Sequence, residues 1–227
     1  MAHSPKLFIY DLDGVITDTA EFHYLAWKKL ADELGIPIDR HFNEQLKGIN
    51  RMDSLDRILG QATSPIDFSE QEKIGLATRK NGYYLELIEA INPKYILPGI
   101  GDFLEANKQS GIKIALGSAS KNAARILDKL ELTGYFDYIV NAAEITKGKP
   151  DPETFTAAAD ALNIAYSDCV GIEDAAAGVE AVNRAGMFSV GVGDDAHLSH
   201  ADYLVGNTQE LEFQKILDEF ENNRKQS

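Results

Sequence analysis

The chain predicts an α/β fold: a doubly wound, mostly parallel sheet core with a helical cap domain inserted after the first strand. Three observations carry that reading. An apolar strand, Lys6-Leu7-Phe8-Ile9-Tyr10, runs straight into charge at Asp11-Leu12-Asp13-Gly14-Val15-Ile16. From Ile112 onward, short apolar runs alternate with helical stretches, which is the rhythm of a buried parallel sheet. Between the two lie about 75 residues of helical pattern with no convincing alternating strand, so the first strand belongs to a core that resumes only later.

After Asp18-Thr19 the pattern turns helical: Ala20 to Leu34 places Phe22, Leu25, Ala26, Leu30 and Leu34 near one face, and Gly35-Ile36-Pro37 stops it. Further helices fit Phe42 to Gly48, Ser54 to Leu59 and Ser69 to Ile91. Tyr95-Ile96-Leu97-Pro98-Gly99 marks the return to the core. There Ile112 to Leu116, Tyr138 to Val140, Cys169 to Ile172 and Phe188 to Val192 read as short buried strands, separated by helices over 121 to 131, 152 to 162 and 174 to 185. The expected domains are therefore residues 1 to 16 with 96 to 227 as the core and 17 to 95 as the cap. Only the tail after Asn222 reads as disordered, and no internal repeat is present.

Composition restricts the setting more than the chemistry. In 227 residues, 22 Lys plus Arg stand against 36 Asp plus Glu, a formal charge of -14. That balance argues against a broad nucleic-acid or anionic-membrane surface, although a few local cations and backbone donors can still hold a phosphorylated small molecule. No apolar run is long enough to span a bilayer, and Ala2-His3-Ser4-Pro5 does not resemble a secretory segment, so a cytoplasmic monomer is the expectation. The single cysteine, Cys169, sits in an apolar run and reads as a buried strand thiol, not a nucleophile.

The chemistry gathers at strand ends. Side chains alternate along a strand, so Asp11 and Asp13 can point toward the same space with α-carbons roughly 6 to 7 Å apart, where a hard cation would offset their repulsion. A solvated turn around Gly14 is the bland alternative, and a calcium loop fits worse because its glycine stands sixth and follows a helix. The second core strand ends in Gly117-Ser118-Ala119-Ser120-Lys121-Asn122, where hydroxyls, backbone donors and a cation meet a helix start. An ordinary cap explains Ser120 and leaves the rest unexplained. Glu173-Asp174 ends another strand before an alanine-rich helix, a placement favourable in any protein, and Lys149-Pro150 by itself reads as a surface turn. What raises all four is their shared position at strand ends on one edge of one sheet.

In this order the motifs Asp11-Leu12-Asp13-Gly14-Val15, Ser118, Lys149-Pro150 and Glu173-Asp174 resemble those of the haloacid dehalogenase superfamily of phosphotransferases. The stretch Asp18 to His23, Trp27, the run Asn43 to Gly48, Arg51, Gly117 to Asn122 and Leu132 to Asp137 resemble its sugar-phosphate mutases specifically, over nearly the whole chain. One position departs: a serine or threonine usually follows the second acid of the last motif, and here it is Ala175.

The resemblance implies that Asp11 is a carboxylate nucleophile forming an aspartyl phosphate. It also implies that Mg²⁺ is held by the Asp11 carboxylate, the Asp13 carbonyl and Asp174, with Glu173 beside the site. Ser118 and Lys149 would hold the transferring phosphoryl oxygens, and the Asp13 side chain would act as general acid and base. The substrate implied is a small phosphorylated sugar, β-D-glucose 1-phosphate, converted to glucose 6-phosphate through the 1,6-bisphosphate. Its second phosphate is expected at Arg51, Ser120, Lys121 and Asn122, with Thr19, His23, Trp27, Lys47, Gly48, Lys80 and Ala119 as further substrate contacts. The insertion would act as a lid hinged near Val15 to Thr19 and Tyr95 to Gly99. The bland readings are a helix-face histidine for His23 and solvated cations for Lys47 and Lys80. A phosphatase of the same fold, in which water discharges the aspartyl phosphate, is the alternative. A module that only binds phosphorylated ligands would leave Asp13 idle.

Overall fold

Leu7–Tyr10 forms the central strand β1, and all four of its side chains are fully buried, as a strand covered on both faces requires. The computed structural model describes residues 4–46, 49–64 and 67–226. Within it the chain divides into two compact units: one made by the residues up to Asp18 together with those from Asn92 onward, the other by Thr19–Ile91.

The first unit is a six-stranded parallel sheet. After β1 come β2 (Lys113–Leu116), β3 (Tyr138–Ile139), β4 (Cys169–Glu173), β5 (Phe188–Val192) and β6 (Tyr203–Val205), in the spatial order β3-β2-β1-β4-β5-β6. That order reverses direction between β1 and β4, and in open α/β sheets ligands collect outside the carboxyl ends of the strands at such a reversal. Register makes the ends level. Tyr10 pairs with both Leu116 and Ile172, so Asp11, Gly117 and Glu173 are the next residues along on three adjacent strands, Glu173 being the last residue of β4. The Asp11 amide donates to Ile172 O at 2.9 Å and the Gly117 amide to Tyr10 O at 2.8 Å, which extends the ladder to the residues of interest.

Helices cover both faces. Leu7 and Ile9 pack with Ala115, Phe155, Ala158 and Val182 on one side, while Phe8 and Tyr10 meet Phe103 edge-on across the other. The Cys169 thiol donates to Ala165 O at 3.4 Å, and burial pushes its pKa up to about 12, the properties of an inert strand thiol.

The second unit is helical: α1 (Ala20–Glu33), α2 (Arg40–Glu44), α3 (Arg51–Leu59) and α4 (Glu70–Leu87), packed around Trp27, Leu30, Leu55, Ile58 and Leu76. Local chemistry sets its boundaries. Asp39 caps α2 by accepting from the Phe42 amide, so that helix starts two residues before Phe42 and ends at Glu44. Asn50 caps α3, which brings Arg51 onto a helix that the apolar spacing alone begins at Ser54. Ser69 and Glu72 form a capping box at α4, whose C-terminus tightens into a 3-10 turn at Ile88–Ala90 in place of a helix continuing to Ile91.

The remaining helices belong to the sheet unit: α5 (Ile100–Ser110), α6 (Ala123–Lys129), α7 (Glu153–Ala161), α8 (Ala176–Arg184), α9 (Asp195–Leu198) and α10 (Phe213–Gln226). The expected disorder after Asn222 is corrected here, because α10 continues to Gln226. Arg224 donates to Ser167 O and to Asp168 Oδ1, both at 2.7 Å, and Asn223 donates to Asp202 at 2.9 Å. Tertiary partners hold a segment whose composition alone reads as loose. Among the described residues no helix is long and apolar enough to cross a membrane.

Candidate active site

At the sheet's reversal point the carboxyl ends of β1 and β4 bring three acids together. Ligand oxygens of Asp11, Glu173 and Asp174 lie within 4.8 Å of one another, with Asp11 and Glu173 buried and Asp174 half-buried. Glycine makes the approach possible. Gly14 has φ +79°, and a Cβ there would stand 2.1 Å from Asp174 Oδ2, so only a residue without a side chain lets the loop after β1 pass under that carboxylate. Gly178, inside α8, plays the same part for Glu173, whose Cδ would stand 2.0 Å from an added Cβ. In the sequence, the signal of such a close approach is an isolated glycine within an alanine-rich helix.

Lys149 supplies the cation. Its side chain is fully buried, and Nζ donates to Asp11 Oδ1 at 2.7 Å and to Glu173 Oε1. The surface-turn reading of Lys149 is thereby replaced by a buried ion triad, with the Phe155 ring 5.1 Å from the ammonium. Burial works to depress the Lys149 pKa, but Asp11 and Glu173 outweigh it and the group is held above the ordinary lysine value, so it stays charged. For Glu173, burial raises the carboxyl and Asp11 adds to it, against the pull of Lys149 and of the Ala175 amide, which donates to Oε2 at 3.2 Å.

Three carboxylates around one ammonium leave the group net negative. Hard oxygen donors so spaced, with charge left to neutralise, suit a divalent cation such as Mg²⁺, for which Asp11, Glu173 and Asp174 each offer a ligand oxygen. Asp13 is half-buried. Its backbone bridges to Thr17 and the Gly14 amide donates to Thr17 O at 2.7 Å, which fixes the loop that carries it. Among the described residues its carboxylate is not part of that acidic group.

Beyond β2, Ser118 is buried and its Oγ accepts from the Ser120 amide at 3.1 Å, while Ser120 Oγ accepts from the Asn122 amide at 3.3 Å. These turns lead into α6, with Ala119, Ser120 and Asn122 half-buried and Lys121 exposed.

The inserted unit holds its own polar group. Lys80 is 2% exposed, with Nζ 2.8 Å from His23 Nδ1 and lying over the rings of Trp27 at 4.5 Å and Tyr84 at 5.0 Å. An ammonium only donates, so Nδ1 accepts and the imidazole proton sits on Nε2. Burial, then Lys80 and Arg51, hold the His23 pKa well below the ordinary value, so the ring is neutral. Tyr84, absent from the sequence reading, organises this group: its ring lies 4.1 Å from that of His23, and its hydroxyl is 3.0 Å from Thr19 Oγ1. Arg51 donates to Asn81 Oδ1 at 2.8 Å and is weakened by burial. Lys80 is therefore a buried cation and not a solvated one. Lys47 and Gly48 lie outside the described residues.

The haloacid dehalogenase-like hydrolase family matches residues 5–186. The chain is 46% identical over 219 residues to a beta-phosphoglucomutase of Bacillus subtilis, covering 96% of this chain and 97% of that one. It is 31% identical to a phosphorylated carbohydrates phosphatase of Thermotoga maritima, covering 79% and 81%. The crystal structure of a beta-phosphoglucomutase from Clostridium difficile superimposes with a TM-score of 0.95 at 49% identity, over 97% of this chain and 99% of that one. Nucleophile candidate, acid pair, buried lysine and inserted helical cap thus occur together, and the chain belongs to the haloacid dehalogenase-like hydrolase family, alongside its beta-phosphoglucomutases.

Proposed function

We propose that the chain interconverts β-D-glucose 1-phosphate and glucose 6-phosphate through phospho-Asp11 and β-glucose 1,6-bisphosphate. The observation that carries the mechanism is the Lys149 ammonium on Asp11 Oδ1, beside Glu173 and Asp174 at the switch point of the sheet. The sugar and its anomer rest on the likeness to the Bacillus subtilis enzyme. The Asp11 and Asp174 carboxylates and the Asp13 carbonyl would hold Mg²⁺, whose charge would offset the repulsion between the phosphoryl oxygens and the carboxylate nucleophile.

Asp11 donates an electron pair from a carboxylate oxygen to phosphorus, and the sugar oxygen departs with the electrons of the bond that breaks. Lys149 and Ser118 hold the transferring oxygens, where charge is borne in the transition state. The Asp13 carboxyl, spared from the acidic group, protonates the departing sugar oxygen and later takes the proton of the attacking hydroxyl. Arg51 with Ser120, Lys121 and Asn122 binds the phosphate that is not being transferred. Thr19, His23, Trp27, Lys80, Lys47, Gly48 and Ala119 contact the remainder of the sugar. Neutral His23 offers Nε2–H as a donor. The acidic surface favours a monomer acting on small molecules in the cytoplasm, with no nucleic-acid partner.

The test is a coupled assay for glucose 6-phosphate with each glucose 1-phosphate anomer, in Mg²⁺ with a trace of bisphosphate, while free phosphate is followed in parallel. Turnover of the β anomer with little phosphate release is expected. Asp11→Ala should abolish turnover and phosphoenzyme together, and Asp13→Asn should slow turnover by about 10²- to 10⁴-fold. Stoichiometric phosphate release would instead favour hydrolysis, the activity named for the Thermotoga maritima relative.

A further inference from the structure

Lys149 must present its ammonium to two carboxylates, yet it is carried on a loop between β3 and α7 and has no ladder or helix to fix its backbone. That loop is tied down from one side by a single acid. Glu153, the first residue of α7, accepts from the Thr146 amide at 2.8 Å, from Thr146 Oγ1 at 2.7 Å and from the Lys147 amide at 2.7 Å. The other side is closed by Asp151, whose amide donates to Gly148 O at 3.0 Å and whose Oδ1 accepts from the Glu153 amide at 3.1 Å. Two residues past Glu153, fully buried Phe155 puts its ring beneath the Lys149 ammonium. The three donors, the Thr146 amide foremost, hold the Glu153 carboxyl below the usual glutamate range, so it remains an acceptor-only carboxylate at neutral pH.

We infer that Glu153 is a positioning residue for Lys149: by clamping Thr146 and Lys147 it fixes the loop from which the buried ammonium reaches Asp11 and Glu173. It thereby sets how fast Asp11 takes up a phosphoryl group. Charge-assisted bonds to a carboxylate are the strong kind, and one acid that accepts three of them, two from backbone amides and one from a hydroxyl, defines the position of a loop that no neighbouring strand pairs. The sensitivity follows from distance: a displacement of about 1 Å at a reacting centre costs up to about 100-fold in rate.

The inference rests on the reading of Asp11 as nucleophile but not on the sugar, and acetyl phosphate separates the two. Asp11 attacks its phosphorus, the O–P bond to Asp11 forms as the bond to acetate breaks, acetate leaves with that electron pair, and no proton is needed. Initial rates of Asp11 phosphorylation by acetyl phosphate in Mg²⁺ are compared among parent, Glu153→Ala and Glu153→Gln. Amide hydrogen exchange of Thr146 and Lys147 is read in the same proteins without added metal.

For Glu153→Ala, phosphorylation slower by about 10- to 100-fold is expected, with faster exchange at both amides and an unchanged dependence on acetyl phosphate concentration at half saturation. Glu153→Gln, which retains one acceptor oxygen and the size of the side chain, should recover part of the rate. Parental phosphorylation rates in Glu153→Gln with Lys147 exchange accelerated would overturn the inference, as would rates that fall only in proportion to unfolded protein. A parent that phosphorylates Asp11 but fails to isomerise the sugar phosphate overturns the substrate reading and leaves the Glu153 comparison intact.

Discussion

Gly178 has no side chain, and that absence lets Glu173 keep its place beside Lys149. In an ordinary helix, alanine is favoured over glycine by roughly 0.5 to 1 kcal/mol. At Gly178 the sign reverses, since the added Cβ would lie within 2.1 Å of a carboxylate that is 1% exposed and cannot swing aside into solvent. Gly178→Ala should lower stability by about 1 to 3 kcal/mol and reduce turnover, while Gly82→Ala on α4, where a Cβ meets nothing within 4 Å, should stabilise slightly. Thermal melts and rates of both variants decide it; a Gly178→Ala protein with parental rates would show that Glu173 tolerates displacement.

At this scale the chemistry-bearing types were readable. Asp11, Ser118, Glu173 and Asp174 stand at strand ends, and strand ends can be found from apolar runs. The partnership of Lys149 with Asp11, across 138 positions of sequence, has no local signature. Nor has the threefold acceptance by Glu153, because hydrogen bonds that a carboxylate accepts from two amides and a hydroxyl depend on a loop conformation that no periodicity encodes. The departure at Ala175 has a physical meaning too. It is the N-cap of α8 and provides no side-chain cap, and its own amide donates to Glu173 Oε2 at 3.2 Å.

Elements built from apolar periodicity were legible, and those held by tertiary contact were not. Strands β1, β2, β4 and β5 and helices α1, α7 and α8 are found close to where the pattern puts them. The edge strand β6 has three residues, two of them half-buried, too short for a pattern to register. α10 ends in Asn222-Asn223-Arg224-Lys225-Gln226, whose polarity reads as a loose tail until Asp168 is placed against it. Ending the chain at Asn222 removes the bonds of Asn223 and Arg224 but leaves Lys6, 2.7 Å from Asp168 Oδ2, as a partner for that buried acid. The loss should therefore be modest, about 1 to 2 kcal/mol, because no charge is stranded. Urea unfolding of the shortened chain measures it, and unchanged stability would mean that those contacts contribute nothing in solution.

For the molecule as a whole, binding of a divalent ion is coupled to folding of the sheet unit. Asp11, Glu173 and Asp174 converge only when β1 and β4 are paired, so an ion held there favours the folded state by mass action. With free Mg²⁺ at 100 times its dissociation constant the gain is about 2.7 kcal/mol, a rise of several degrees in the melting temperature of that unit. Calorimetry in Mg²⁺ and then in excess chelator should show the rise and its reversal, and Asp174→Ala should lose most of it. A melting temperature indifferent to Mg²⁺ in the parent would argue against the acids as an ion site.

The two segments through which the chain leaves and re-enters the sheet unit are hydrogen-bonded neighbours. Thr17 bridges antiparallel to Ile96 and donates Oγ1 to Tyr95 O at 2.7 Å, and the Leu97 amide donates to Ile16 O at 3.0 Å. Topologically the whole insertion is a single loop on a two-stranded stem, and loop length enters the closure cost only logarithmically. The sheet's register is indifferent to what the stem carries. A lineage built on this plan is free to lengthen, replace or shed the insertion in one recombination event, and to change what it accepts as substrate, without touching the residues that perform the transfer.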